Sequence, residues 1–395
     1  MEEVKSNAGR MFVPSLPTLW PSMLLARKDV GGFLPFASPS VRYFYFARNA
    51  VWLTVKMLGL DQGGGEVLVP AYHHGVEIEA LVDAGVTPRF YRVGSRWDVD
   101  LADVERRIGP KTRALYLIHY AGFPGPAAEM RALADKHGLP LIEDCALSLL
   151  SSDGTVPLGS TGDVGIFCLY KTLPVPNGGA MVINGPRQYS VPEPPAPPTT
   201  STFSHTVGSL LQNLELRGGS VGRALRAAIR GVGRGTVKAA SIERVATGTQ
   251  HFNRKHVDLG MSPLTKRIAL AQDLASVVEQ RRRNYFYLLA RLRDVSPPLF
   301  NQLAPGVCPL FYPMVVENKP ALLENLRARG IDAIDFWKYF HPACNASEFP
   351  EVAELRRTIL EIPCHQDFGP DEMAQIADAV RDALVQTRPQ RSRAG

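Results

Sequence analysis

Three short apolar stretches lie close together in this chain. Leu141 opens a run that ends on the acids Glu143 and Asp144, Val164–Leu169 forms a second, and a third follows the glycine pair Gly178-Gly179. Loops rich in Gly, Ser, Asp and Pro divide them. Apolar runs of this length between turn signals predict buried strands. The second run leads straight into Tyr170-Lys171. Open α/β sheets take ligands in the crevice beyond the carboxyl ends of their strands. An acid at one strand exit and an amine at the next would therefore face a common space.

A lysine in such a crevice can lose its hydration, which lowers its pKa and frees the amine to attack a carbonyl. A carboxylate nearby can hold a protonated ring nitrogen. Pyridoxal 5'-phosphate needs both: a lysine for the Schiff base and an acid at the pyridinium nitrogen. A loop lysine in solvent and an aspartate capping a helix account for the same residues, and on the residues alone the two readings stand level.

The stretch resembles the DegT/DnrJ/EryC1/StrS family of pyridoxal-phosphate-dependent sugar aminotransferases. The family's acidic strand end, EDxA, is matched by Glu143-Asp144-Cys145-Ala146. Its G(S/D)xGDxGxFS run is matched by Gly159 to Cys168, with Lys171 and the glycine pair following. Further likenesses spread the resemblance over roughly residues 40–185 and 255–385. It implies a three-layer α/β/α fold with a mostly parallel sheet, the aminotransferase fold type I, and a smaller C-terminal α+β domain. The strand–helix alternation from residue 63 to 145 points to the same class of sheet.

The resemblance also implies roles. Lys171 would carry the Schiff base and move protons, and Asp144 would keep the pyridine nitrogen protonated. Phe46 to Val51 resembles the helix start whose amides hold the cofactor phosphate, so Arg48 and Asn49 would supply them. His74 stands where the family stacks an aromatic ring on the cofactor, and an imidazole there can also titrate near neutrality. Cys168 replaces a phosphate-holding Ser and is a weaker donor. Three other departures matter. Ala47 stands for a Gly, Leu147 for a Gln that contacts the cofactor's phenolic oxygen, and Asp258 to Pro263 lacks the Asn and Arg of the family's NYRM. Leu360 to Asp367 resembles the family's LSLPxHxxL.

The implied function is transfer of an amino group from an amino-acid donor to a keto-sugar, nucleotide-linked, by a ping-pong Schiff-base mechanism on Lys171. The departures leave alternatives: a pyridoxal-phosphate enzyme performing another carbanion reaction or using a non-sugar carbonyl compound, or a non-catalytic binding homologue. A symmetric homodimer is implied.

The chain has 395 residues, enough for a large core and a second unit. We expect an N-terminal arm at 1–40 and a large cofactor-binding domain at 41–255. Within it, 186–250 holds a Pro-rich linker and a basic insertion. A small domain is expected at 256–385 and a disordered tail at 386–395. Arg42–Leu60 and Thr265–Val295 read as helices, while the glycines between 218 and 235 argue against one long helix there. The basic insertion suits an anionic membrane surface, but a solvated face explains its charges more simply. A net charge of +6 favours anionic ligands and is weak grounds for nucleic-acid binding. Five scattered cysteines indicate neither a disulfide framework nor a metal site, and with no signal-peptide pattern at the N-terminus a cytoplasmic location is expected.

Overall fold

The computed structural model describes residues 12–25, 32–185, 189, 191–239, 251–337 and 339–387. Its centre is a seven-stranded sheet of β1 (Arg42–Phe44), β2 (Glu66–Pro70), β3 (Thr87–Tyr91), β4 (Thr112–Ile118), β5 (Leu141–Cys145), β6 (Val164–Cys168) and β7 (Gly179–Ile183), in the order β1-β7-β6-β5-β4-β2-β3. The pairs from β6 to β3 are parallel, and β7 and β1 join antiparallel at one edge. Every residue of β5 and β6 is buried, which is why these strands read as continuous apolar runs without alternation. Two helix pairs pack on the sheet: α1 (Ala47–Leu58) with α2 (Val76–Asp83), and α3 (Leu101–Arg107) with α4 (Ala127–Lys136). The class is the expected three-layer, mostly parallel α/β fold.

The helix read from Arg42 starts late. Residues 42–44 pair with β7, Phe46 is extended, and α1 begins at Ala47. The cause lies in β7. A Cβ on Gly179 would come within 2.3 Å of Ala47 N and Phe46 C, so only glycine lets the chain turn there from strand to helix. The long helix read over Thr265–Val295 is two, α6 (Pro263–Leu270) and α7 (Leu274–Leu292). Asp273 starts the second by accepting from Ser276 N, an N-cap in mid-segment. The basic insertion carries α5 (Thr199–Ala239), a helical track broken at Gly219, whose φ of 53° no helix accommodates.

A second, two-stranded antiparallel sheet, β8 (Phe311–Val315) with β9 (Ile359–Pro363), is packed by α7 and α8 (Lys319–Ala328), against which α10 (Pro370–Thr387) lies, with α9 (Pro350–Thr358) leading into β9. This is the smaller α+β part. Two buried guanidinium groups tie it to the large sheet. Arg281 donates to the carbonyls of Thr172, Pro309 and Leu310, and Arg356 to those of Ala71, His73, Trp337 and Tyr339. α10 runs to Thr387, two residues into the expected tail; residues 388–395, the first eleven residues of the arm, and 186–188, 190 and 240–250 of the insertion lie outside the described residues.

All five cysteines are buried and free. Among the described residues no group of His, Cys, Asp and Glu is placed to hold a metal ion, and no helix is long and apolar enough to cross a membrane.

Candidate active site

Adjacent strand residues point to opposite faces, and this separates the two acids of β5. Glu143 turns into the large unit. Its carboxylate takes His119 Nε2 at 2.9 Å and the amides of Thr161 at 2.8 Å, Gly159 and Gly162. That network ties the glycine-rich loop before β6 to the sheet, so Glu143 has a structural task. His119 is consumed by it.

Asp144 turns the other way, into a cavity of about 420 Å³ between the large sheet and the smaller unit. Lys171, three residues beyond β6, lines the same cavity. The strand-exit argument thus brings amine and acid to one space. Both Asp144 oxygens are used: Oδ2 accepts from Tyr116 Oη at 2.6 Å and Oδ1 from Ala146 N at 2.8 Å. Burial raises the Asp144 pKa, with the Glu77 charge adding to the rise, while Tyr116, Ala146 and Lys171 pull it down. A buried acid held in this way is stabilised as an anion by any cation brought beside it.

The start of α1 opens on the same cavity. Its N-cap, Phe46, has no side-chain oxygen to satisfy the leading amides, which suit an anion. Arg48 lines the cavity beside them, its guanidinium 3.9 Å from the Phe46 ring centre. Cys168 lies there too, hydrogen-bonded to the Tyr170 hydroxyl, and burial raises its thiol pKa. Asn49 is a correction. Its amide Nδ2 donates to His256 O at 2.8 Å and its backbone N–H to Phe46 O, so it fastens residues 256–259 to α1 and does not line the cavity. The segment Asp258 to Pro263, which lacks the family's Asn and Arg, likewise packs on its own chain, with Tyr45 N donating to Leu259 O and Gly260 N to Pro195 O.

His74 lines the cavity, 6.4 Å from the Trp337 ring centre and nearly perpendicular to it. Burial, with the charges of Lys171 and Arg48 adding to it, lowers its pKa to about 3. The expectation that it titrates near neutrality is therefore overturned; it is a neutral ring at physiological pH. Gly75 follows it with φ 111°, and the ring of Tyr339 occupies the space a side chain would take, 2.5 Å from an ideal Cβ.

Several lining residues escaped the sequence reading. Glu77, on the first turn of α2, accepts from His74 N, and burial raises its pKa. Phe336 and Trp337 stack on one another at 4.5 Å and wall the smaller unit's side. Glu361, on β9, is fully buried and lines the cavity. The signal for it was present, since it occupies the Ser position of the LSLPxHxxL likeness. Leu147, in place of the expected Gln, lines the cavity with an apolar surface.

The site and sheet define a fold-type I α/β architecture with a lysine, a buried acid and a helix start on one cavity. Residues 47–191 match the model of the DegT/DnrJ/EryC1/StrS aminotransferase family, and the resemblance read from the sequence is borne out over that span. GDP-perosamine synthase of Vibrio cholerae is 35% identical over 138 residues, covering 34% of this chain and 37% of that protein. The chain thus spans little more than a third of the length of such relatives. A dTDP-3-amino-3,4,6-trideoxy-alpha-D-glucose transaminase of Streptomyces venezuelae is 24% identical over 85% of this chain and 80% of its own. In fold, the chain is similar to Helicobacter pylori PseC, an aminotransferase involved in the biosynthesis of pseudoaminic acid, with a TM-score of 0.67 and 16% identity over 95% of this chain and 100% of that one.

Proposed function

We propose that this protein is a pyridoxal-phosphate-dependent aminotransferase that moves an amino group from an amino acid to a keto-sugar. One observation carries the reading: Lys171 and Asp144 line the same cavity, beside the start of α1. The residues present fit the cofactor. Asp144 is a buried acid with both oxygens positioned, on the cavity that Lys171 also lines. The leading turn of α1 with Arg48 and the Tyr170 hydroxyl suits a phosphate, and the neutral His74 ring suits a stacked heterocycle.

When bound, the cofactor supplies an electron sink for the carbanion formed at the substrate carbon. The chain supplies the rest. Lys171 Nζ would hold the cofactor through its aldehyde carbon and, once displaced from it by the donor amine, would take and return the proton at the substrate carbon. Asp144 would hold the proton on the cofactor's ring nitrogen, with Tyr116 fixing its carboxylate. Phe336, Trp337 and Tyr339 exclude water on the opposite wall, which strengthens these charge interactions. The relatives' nucleotide-linked products support a nucleotide-linked acceptor, and assembly as a symmetric homodimer belongs to the same reading. Leu147 favours a second reading, another carbanion reaction in the same fold, because it offers no hydrogen bond to the cofactor's phenolic oxygen.

The test is the visible absorbance of the purified protein. A cofactor band should be present, should change on adding L-glutamate, and should return on adding a keto-sugar nucleotide. Lys171→Ala should abolish the covalent adduct that borohydride traps. A colourless protein that gains no band with added cofactor would defeat the proposal, and a band that responds to glutamate but to no carbonyl sugar would favour the second reading.

A further inference from the structure

Four carboxyl groups line the cavity, and three are committed within the chain. Asp144 is filled by Tyr116 and Ala146, Glu77 accepts from His74 N, and Asp335 pairs with Lys319 Nζ at 2.6 Å. Glu361 differs. It is 0% exposed, and neither of its carboxyl oxygens has a hydrogen-bond partner among the described residues. Its backbone is nonetheless fixed. Glu361 pairs with Pro313 of β8 on one side, and on the other exchanges both backbone hydrogen bonds with Ile334, at 3.0 and 3.1 Å. The backbone is thus fixed while the carboxyl group has no hydrogen-bond partner among the described residues.

A buried polar group without a partner is destabilising and marks a place where a ligand completes the bonding. Resting on the aminotransferase reading, the geometry points to Glu361 as a specificity-determining residue that hydrogen-bonds the hydroxyl groups of the sugar substrate's ring. Its neighbours on that wall are the stacked rings of Phe336 and Trp337, apolar faces against which the C–H side of a sugar ring packs. Burial raises the Glu361 pKa well above the usual carboxylate range, against the opposing pull of Lys171 and Lys319. A neutral carboxyl both donates and accepts, which matches a pair of neighbouring hydroxyls and gives little attraction to a cation.

The experiment uses the cofactor-loaded full chain with Glu361→Leu and Glu361→Gln. Calorimetry measures binding of dTDP-glucose, GDP-mannose and UDP-N-acetylglucosamine, each against its free nucleoside diphosphate. In the wild type the sugar of at least one should tighten binding about tenfold or more. Glu361→Leu should erase that increment, leave the visible cofactor band intact, and keep or raise Tm, because the unpartnered group is gone. Glu361→Gln, with a donor and an acceptor, should keep most of the increment. An undiminished increment in Glu361→Leu overturns the assignment, and so does a lowered Tm or a lost cofactor band, which would make Glu361 a structural or cofactor-side group. A wild type with its cofactor band but no increment from any sugar overturns it while leaving the cofactor chemistry standing. A wild type that takes no cofactor overturns the aminotransferase reading and this assignment together.

Discussion

Arg281 reaches from α7 across to the large sheet and donates to the carbonyl of Thr172, the residue directly after Lys171, at 3.1 Å. Gln366 Nε2 grips the same carbonyl at 3.0 Å, and Arg281 Nε bonds Gln366 Oε1 at 2.8 Å. The backbone that carries the proposed Schiff-base lysine is thus fixed by the smaller unit. Arg281→Met leaves the Thr172, Pro309 and Leu310 carbonyls without this donor. It should cost about 2–4 kcal/mol of stability and lower turnover by roughly ten- to a hundredfold while cofactor occupancy persists. Arg281→Lys should not rescue it, because an ammonium cannot span the fork. Turnover and Tm equal to wild type in Arg281→Met would remove the positioning argument.

The Tyr116–Asp144 contact gives a spectroscopic prediction. An anion beside a protonated ring nitrogen raises that nitrogen's pKa by about 1–3 units. Asp144→Asn should therefore move the pH midpoint of the bound cofactor's visible absorbance downward by that amount and sharply reduce turnover. Tyr116→Phe should move it the same way by less, because the Tyr116 hydrogen bond is one of the influences lowering the Asp144 pKa. If Asp144→Asn titrates like the wild type, Asp144 is not the ring-nitrogen partner.

What could be read in advance follows from how local each signal is. The exits of β5 and β6 were legible because buried parallel strands are short apolar runs, and the residues that follow them must emerge at one edge. Lys171 and Asp144 therefore line one cavity. Asn49 was misplaced because its bond to His256 O crosses a long insertion that no local pattern encodes. The titration of His74 was misread for a similar reason, since the burial that lowers its pKa comes from walls supplied by both units. The helix breaks at Phe46 and Asp273 each turn on one residue's backbone or cap, which periodicity averages over. Glu361 was visible as a substitution, but its burial and its lack of partners belong to the folded cavity.

The buried His119–Glu143 pair predicts an acid limit to stability. Burial alone would raise the Glu143 pKa, but His119 and the amides of Gly162 and Gly159 outweigh it, and the folded-state value lies below the ordinary one of 4.5. A depressed carboxylate contributes stability fully above its unfolded pKa and loses it as pH falls through the folded one. Stability should thus be flat in this term above about pH 5 and should fall on acidification below the usual glutamate range. Glu143→Ala strands His119 and three loop amides, and should destabilise by about 3–5 kcal/mol at neutral pH with a weaker acid dependence. Urea unfolding of wild type and variant between acid and neutral pH measures both. An acid limb of unchanged slope in Glu143→Ala would place the acid sensitivity elsewhere.

Gly179 offers a test that separates the start of α1 from the rest of the cavity. Its missing Cβ would meet Ala47 N and Phe46 C at 2.3 Å, and both are backbone atoms that cannot swing aside. Gly179→Ala must therefore push β7 and the first turn of α1 apart, at a cost of about 1–3 kcal/mol. Gly185, in the loop after β7, is the control: an added Cβ there stays 3.5 Å from Asp163 Oδ1, an ordinary contact, and Gly185→Ala should fall within about 0.5 kcal/mol of wild type. If the leading amides and Arg48 hold the cofactor phosphate, Gly179→Ala should also weaken cofactor affinity, read by absorbance titration of the stripped protein, while inorganic phosphate competes less well than in wild type. A Gly179→Ala protein that loses stability yet binds cofactor with unchanged affinity would show that the anion is held elsewhere in the cavity.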